Sequence, residues 1–259
     1  MLLMMEEALL EHSLWAICVS RPGAEGSTAA KDPRSQVETF CQDTVAVLDA
    51  LKIDKAGIFC MCAGTPFAMA LCAKYPSRTT GKFLALAPWT LVADCPQSKR
   101  LERFAAHYLP TLAVSSMVGS IANTAMKYFS KETIAKKLRE KFSEAEQKYL
   151  QERYQGQAES LFALDLGWAM GTMHNEKMDV AVCLSKSSDL GFQYNELEGQ
   201  DVVIWQGTKD NLAYPPASNW LTETLPHAKL HLIPGSTHQG ALFLLGAEYV
   251  NALSHLKSA

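Results

Sequence analysis

No charge imbalance marks this chain: 24 Lys and Arg stand against 27 Asp and Glu in 259 residues, a formal net charge of −3. The basic footprint that nucleic acid or an anionic membrane surface would require is missing, so neither is expected as a partner. No apolar run reaches the ~18 residues of a spanning helix. Met1 to Leu10 is apolar, but Glu6, Glu7 and Glu11 interrupt it and no basic stretch precedes it. It reads as an amphipathic helix rather than a signal peptide. The terminal Leu256-Lys257-Ser258-Ala259 is not the peroxisomal Ser-Lys-Leu address. The seven cysteines are odd in number and lack framework spacing. Free thiols in a reducing compartment, and a cytoplasmic location, are the expectation. No G-x-G-x-x-G or Walker pattern is present, which argues against a nucleotide cofactor. The histidines show no ligand spacing, and Cys60-Met61-Cys62 without a second cluster is poor evidence for zinc. No cofactor and no metal are therefore expected.

What is present is a hydrophobic content of 48%, enough for a proper core. Five short apolar runs are continuous rather than alternating, which suits buried parallel strands. They are Leu14 to Val19, Ala56 to Met61, Lys82 to Ala87, Val202 to Gln206 and Lys229 to Ile233. Helical patterns lie between them at Val37 to Leu51, Thr65 to Tyr75 and Pro216 to Leu225, and Phe243 to Lys257 forms a closing helix. Such alternation predicts βαβ units and a parallel sheet, an α/β fold. From Asp94 to about Asn195 the alternation breaks into helical patterns alone, at Lys99 to Tyr108, Lys131 to Gln155 and Leu161 to Met173. The expected organisation is a core in two parts, 1–93 and 196–259, interrupted by an all-helical cap insertion, 94–195. The charged stretch from Lys131 to Arg153 mixes both signs and reads as a solvated helix face. Phe104, Tyr108, Met117, Met126, Trp168 and Met170 are candidates for lining a substrate pocket under the cap.

The segment Phe59-Cys60-Met61-Cys62-Ala63-Gly64-Thr65-Pro66 joins a strand pattern to a helix pattern. That context is where the G-x-S-x-G nucleophile elbow occurs, with Cys62 in the serine's place. Asp210 follows the Val202 strand and His238 follows the Lys229 strand, giving the chain order nucleophile, acid, histidine. A cysteine at a helix N-terminus sits where the dipole and free amides stabilise negative charge on sulfur. His238 could take its proton while Asp210 holds the imidazole tautomer. The Ala63 backbone amide would serve as an oxyanion donor. Asp94, after the Lys82 strand, is a rival for the acid, and Cys62 as an inert buried thiol is the rival to a nucleophile.

On these residues the chain resembles the fungal-type branch of the single-domain α/β-hydrolase superfamily. Arg21-Pro22-Gly23-Ala24-Glu25-Gly26-Ser27 is similar to the loop after the family's fourth strand. Ala73-Lys74-Tyr75-Pro76-Ser77-Arg78, Leu86-Ala87-Pro88-Trp89, Trp205 to Asn211 and Gly235-Ser236-Thr237-His238 match further motifs in order. The resemblance implies a parallel-sheet α/β-hydrolase fold lacking the first strands, with an all-helical cap. Cys60 stands where the family's elbow has glycine, and bulk there crowds the strand–helix junction. The family's first three strands have no counterpart, and the third of them carries the second oxyanion amide. The sequence is therefore expected to be a truncated product. Leu14 to Val19 should then pair directly with Ala56 to Met61 or leave a gap.

The function this implies is acyl transfer to water on an ester, lactone or thioester of a small organic substrate, through a Cys62–His238–Asp210 triad. Cysteine-bearing relatives that open lactones tilt the substrate toward lactones, and the fungal-type resemblance suggests secondary metabolism. The alternatives are a non-catalytic hydrolase-fold protein that binds a small apolar ligand, a truncated inactive hydrolase, or a transferase using another acceptor.

Overall fold

The computed structural model describes residues 9–24, 26–110, 113–114, 116–117, 120, 133, 136, 140, 142–154, 176–238, 240, 252–253 and 255–256. Helix α1 (Pro33–Ala50) starts four residues before the expected Val37 because its first turn is fully capped. The Asp32 carboxylate accepts from the Ser35 amide at 2.8 Å, Ser35 Oγ accepts from the Asp32 amide at 3.1 Å, and Pro33 opens the helix. Strand β1 (Ala56–Cys62), helix α2 (Thr65–Lys74) and strand β2 (Thr79–Pro88) follow. In the intervening segment lie α3 (Arg100–Tyr108), α4 (Glu144–Tyr154) and α5 (Glu176–Leu184). The chain then returns to the sheet as β3 (Asp201–Gly207), α6 (Pro215–Thr224) and β4 (Lys229–Ile233).

The four strands lie in the order β1-β2-β3-β4, all parallel, with Phe59 beside Leu84, Leu84 beside Val203 and Ile204 beside Leu230. Alternation along each strand splits the core into two layers, because successive side chains leave opposite faces. Phe83, Ala85, Val202 and Ile204 meet Val37 and Cys41 of α1, Phe67 and Leu71 of α2, and Leu221 of α6. Leu84, Leu86, Val203 and Ile233 form the other face with Ala252 and Leu253. Residues 252–253 are helical, as expected, and the rest of the expected closing helix Phe243 to Lys257 lies largely outside the described residues.

One expected strand does not form. Residues 14–20 carry no strand, and β1 is an edge of the described sheet. The backbone at this point is committed to ending a helix. Leu14 donates to the Leu9 carbonyl at 2.8 Å and Ser13 to the Leu10 carbonyl at 3.0 Å, with Ser13 at φ +52°. That is the Schellman arrangement, and Leu9 and Leu14 both pack against the core layer that holds Leu253. Trp15, assigned to a buried strand, is 70% exposed. An apolar run makes a buried strand only where a neighbouring ladder takes its N–H and C=O groups.

Between β2 and β3 the described residues contain helices and no strand. Of the expected pocket-lining residues, Phe104, Tyr108 and Met117 are exposed, with Tyr108 at 75%, so they do not enclose a pocket. Met126, Trp168, Met170 and the expected helix Leu161 to Met173 lie outside the described residues. Among the described residues no helix is long and apolar enough to cross a membrane.

Candidate active site

Strand β1 turns into α2 over Met61-Cys62-Ala63-Gly64. Cys62 has φ +48°, left-handed backbone that costs a non-glycine residue about 1–2 kcal/mol. Three hydrogen bonds hold it there. The Gly64 amide donates to the Met61 carbonyl at 2.9 Å. The Cys62 carbonyl accepts from Thr65 Oγ1 at 2.8 Å and from the Trp89 amide at 3.1 Å. Gly64 is needed for space, since a Cβ there would lie 3.0 Å from the Met61 carbonyl oxygen. Cys60 is accommodated: its Cβ would be 3.8 Å from a Cβ at Gly64, and its thiol meets Thr65 Oγ1 at 3.7 Å. Burial pushes the Cys60 thiol up to about 12, whereas Cys62 is only partly covered. The two thiols of the C-x-C thus occupy different surroundings, and among the described residues no three metal-ligating side chains come together.

The three residues singled out from the sequence meet at one place. His238 Nδ1 lies 2.7 Å from Asp210 Oδ2, and Cys62 is near enough to the imidazole to act on its protonation. His238 is 7% exposed and Asp210 2%. Desolvation lowers the His238 pKa, but hydrogen bonds to Asp210 and Cys62 and the charge on both outweigh it and raise the pKa to about 10. The partners stabilise the charged ring more than burial penalises it. Asp94, the rival acid, accepts instead from the Ser187 amide at 2.7 Å and the Tyr194 hydroxyl at 3.2 Å, and makes no contact with His238. The Ala63 amide donates to no group among the described residues, which leaves it free at the start of α2.

Asp210 is satisfied on every side. Its Oδ1 accepts from the Leu212 and Ala213 amides at 2.8 and 2.9 Å, and its Oδ2 accepts from Gln206 Nε2 at 3.1 Å as well as facing His238. Gln206 is fully buried. Its Nε2 also reaches the carbonyls of Gly207 and Ala213, at 3.1 and 3.0 Å, and its Oε1 accepts from Ser218 Oγ at 2.7 Å. Sequence reading missed this residue. Its signal is a polar side chain at the end of a continuous apolar strand, one turn ahead of the acid.

The acid and histidine loops are joined backbone to backbone. Lys209 N–H donates to the Ser236 carbonyl at 2.8 Å, Thr208 N–H to the Ile233 carbonyl at 3.1 Å, and Gly235 N–H to Thr208 Oγ1 at 2.8 Å. A Cβ at Gly207 would lie 2.5 Å from the Ser236 carbonyl oxygen, so only glycine permits this approach. Glu146 is the other missed residue. Charge patterning assigned it to a solvated helix face, yet it is fully buried against this same histidine loop. Its sequence signal is the capping-box spacing Ser143-x-x-Glu146.

Residues 6–243 match the profile of a family described as alpha/beta hydrolase fold. Solved structures similar to this chain include an esterase from Exiguobacterium antarcticum, 16% identical with a TM-score of 0.64, covering 99% of this chain and 87% of the esterase. A hydrolase from Pseudomonas aeruginosa PA01 is 16% identical with a TM-score of 0.63, covering 98% and 85%. The 2-hydroxy-6-oxo-6-phenylhexa-2,4-dienoate hydrolase of Rhodococcus sp. strain RHA1 is 16% identical with a TM-score of 0.62, covering 98% and 83%. No protein with a curated description matches the sequence.

Proposed function

Because the chain belongs to the alpha/beta hydrolase fold family, we propose that it hydrolyses an ester, lactone or thioester of a small organic molecule through Cys62, His238 and Asp210. The observation that carries this reading is the single cluster in which the His238 ring bonds Asp210 at 2.7 Å beside Cys62, with Cys62 on a left-handed turn. A family fold alone supports many chemistries, and it is these residues that would select one of them.

In the proposed cycle, His238 holds the proton that Cys62 has given up, and Cys62 Sγ attacks the acyl carbonyl carbon. The carbonyl oxygen takes up negative charge and faces the Ala63 amide at the positive end of α2. Collapse expels the alcohol or thiol, which leaves with the proton returned by His238, and the acyl group stays on sulfur. His238 then takes a proton from water, whose oxygen attacks the thioester carbon. The acid is released as the C–S bond breaks, and Cys62 and the protonated His238 ring are restored. Asp210 keeps the imidazole oriented throughout and stabilises its charged form. A thiol nucleophile of this kind calls for a reducing compartment, in line with the cytoplasmic expectation.

The test is intact-mass measurement after mixing with an activated aryl ester. We expect one acyl adduct, lost in Cys62→Ala and accumulating in His238→Ala, where deacylation lacks its base. No adduct on folded protein overturns the reading in favour of a non-catalytic ligand-binding role.

A further inference from the structure

We propose that Glu146 is a positioning residue for His238: from α4, in the segment inserted between β2 and β3, it holds the loop that keeps the imidazole between Cys62 and Asp210. The proposal rests on the Cys62–His238–Asp210 reading and goes beyond it, because it places part of the control of that site in the insertion.

Glu146 is 0% exposed, and a carboxylate so buried persists only where hydrogen bonds replace its water. Four donors do so. Oε1 accepts from the Thr237 amide at 2.6 Å and from Ser236 Oγ at 3.1 Å. Oε2 accepts from the Ser143 amide at 2.8 Å and from Thr237 Oγ1 at 3.1 Å. Two carboxylate oxygens have about four lone-pair sites, and here each is used. One pair of bonds belongs to the start of α4, where Ser143 and Glu146 form a capping box, with the Glu146 amide 3.3 Å from Ser143 Oγ. The rest reach across about ninety residues of sequence to Ser236 and Thr237, immediately before His238. The glutamate therefore caps its own helix and the histidine loop with one group.

The surrounding sequence makes room for this carboxylate and for little else. Gly240 provides the space: a Cβ there would lie 1.4 Å from Glu146 Oε1 and 1.9 Å from its Cδ. The Gly240 amide in turn donates to Thr237 Oγ1 at 3.1 Å, closing the loop behind the glutamate. The contact is also specific for a carboxylate over its amide. Each oxygen faces one backbone N–H, from Thr237 on one side and Ser143 on the other. Hydroxyls can turn round to accept, but backbone amides cannot. Glutamine in either orientation would point its NH2 group at one of them. A residue that only filled space would tolerate Glu146→Gln; one that holds the loop by two acceptors would not.

The experiment compares the wild type with Glu146→Gln, Gly240→Ala and Thr237→Val in the full chain. Each protein is measured for the pH titration of the His238 ring by NMR, the rate of acyl-adduct formation with an aryl ester at pH 7, and thermal unfolding. In Glu146→Gln and Gly240→Ala we expect the His238 titration to fall toward the ordinary histidine range. Adduct formation should slow on the order of 10–100-fold, the effect of misplacing a reacting group by about an ångström. Gly240→Ala evicts the same carboxylate without altering it, so the two variants should agree. Thr237→Val removes one of the four bonds to Glu146, along with the acceptor of the Gly240 amide, and should move the titration less, in the same direction. It decides the matter if the other two do not fold. A His238 titration left at its wild-type position in these variants overturns the proposal, whatever happens to stability. A wild type that forms no adduct, but whose His238 titration responds to Glu146→Gln, sinks the catalytic reading and leaves the positioning role standing.

Discussion

Asp210→Asn changes one atom and should reverse the proton on His238. Oδ1 of Asp210 faces two backbone N–H groups, from Leu212 and Ala213, which can only donate. The asparagine oxygen must take that place, so its NH2 group takes the place of Oδ2. There it meets Gln206 Nε2, 3.1 Å from the present oxygen, and His238 Nδ1, 2.7 Å away. Gln206 cannot relieve the clash by turning over, since its Nε2 also serves the Gly207 and Ala213 carbonyls. His238 can relieve its own side by accepting at Nδ1, which puts a hydrogen on Nε2. In its neutral form the ring then offers Cys62 a donor instead of an acceptor, and no base is left to take the thiol proton. Reversal of this tautomer in a related constellation costs on the order of 10⁴ in kcat. The unmatched Gln206 donor should add about 1–3 kcal/mol of lost stability. The assay is aryl-ester turnover across pH, with urea unfolding in parallel. A variant that keeps kcat within tenfold of the wild type refutes the role given to the Asp210–His238 bond.

Three further outcomes follow from the same geometry. The His238 pKa is raised from 6.5 to about 10, with desolvation opposing and the bonds to Asp210 and Cys62 winning, so its contribution to stability is complete below pH 6.5 and is lost as pH rises toward 10. Urea unfolding across that window should show the loss, and Cys62→Ala should flatten it; an equally steep profile in Cys62→Ala would contradict the assignment. Gly64→Ala puts a methyl 3.0 Å from the Met61 carbonyl oxygen, where overpacking costs about 1–3 kcal/mol. It should also slow acylation by moving Cys62, and unchanged kinetics would count against the tight elbow. Gln206→Met leaves Ser218 Oγ and the Ala213 carbonyl without their present partner, and should lower the urea-derived stability by at least about 2 kcal/mol.

The elbow, the acid and the histidine were legible because each is local. A continuous apolar strand followed by a turn and a helix places its last residues at the same end of a parallel sheet whatever lies between. Ala56 to Met61, Lys82 to Ala87, Val202 to Gln206 and Lys229 to Ile233 were readable as strands for that reason, within about three residues of their observed ends. Leu14 to Val19 has the same composition, but a strand also needs a neighbour's ladder, which composition cannot supply. The hydrogen bonds of Ser13 and Leu14 went to a helix end instead. Phe104 and Tyr108 read as pocket-lining because they are apolar, and which way α3 turns them is decided by packing far away in sequence. Glu146 was hidden for the opposite reason. In a run of mixed charges one glutamate looks like another, and only Gly240, some ninety residues on, opens the space that buries it.

The closeness of Gly207 to Ser236 has a consequence for anyone recombining this chain with a relative. The segments 207–210 and 233–238 are stitched by their own main chains, so they are inherited as a cassette. A donor sequence that brings its own acid loop without its own histidine loop would break the seam at Lys209–Ser236 and Thr208–Gly235. The crossover points that preserve function lie outside the whole stretch from 207 to 238, for example before β3, and chimaeras cut between the two segments, as within α6, should be the ones that fail.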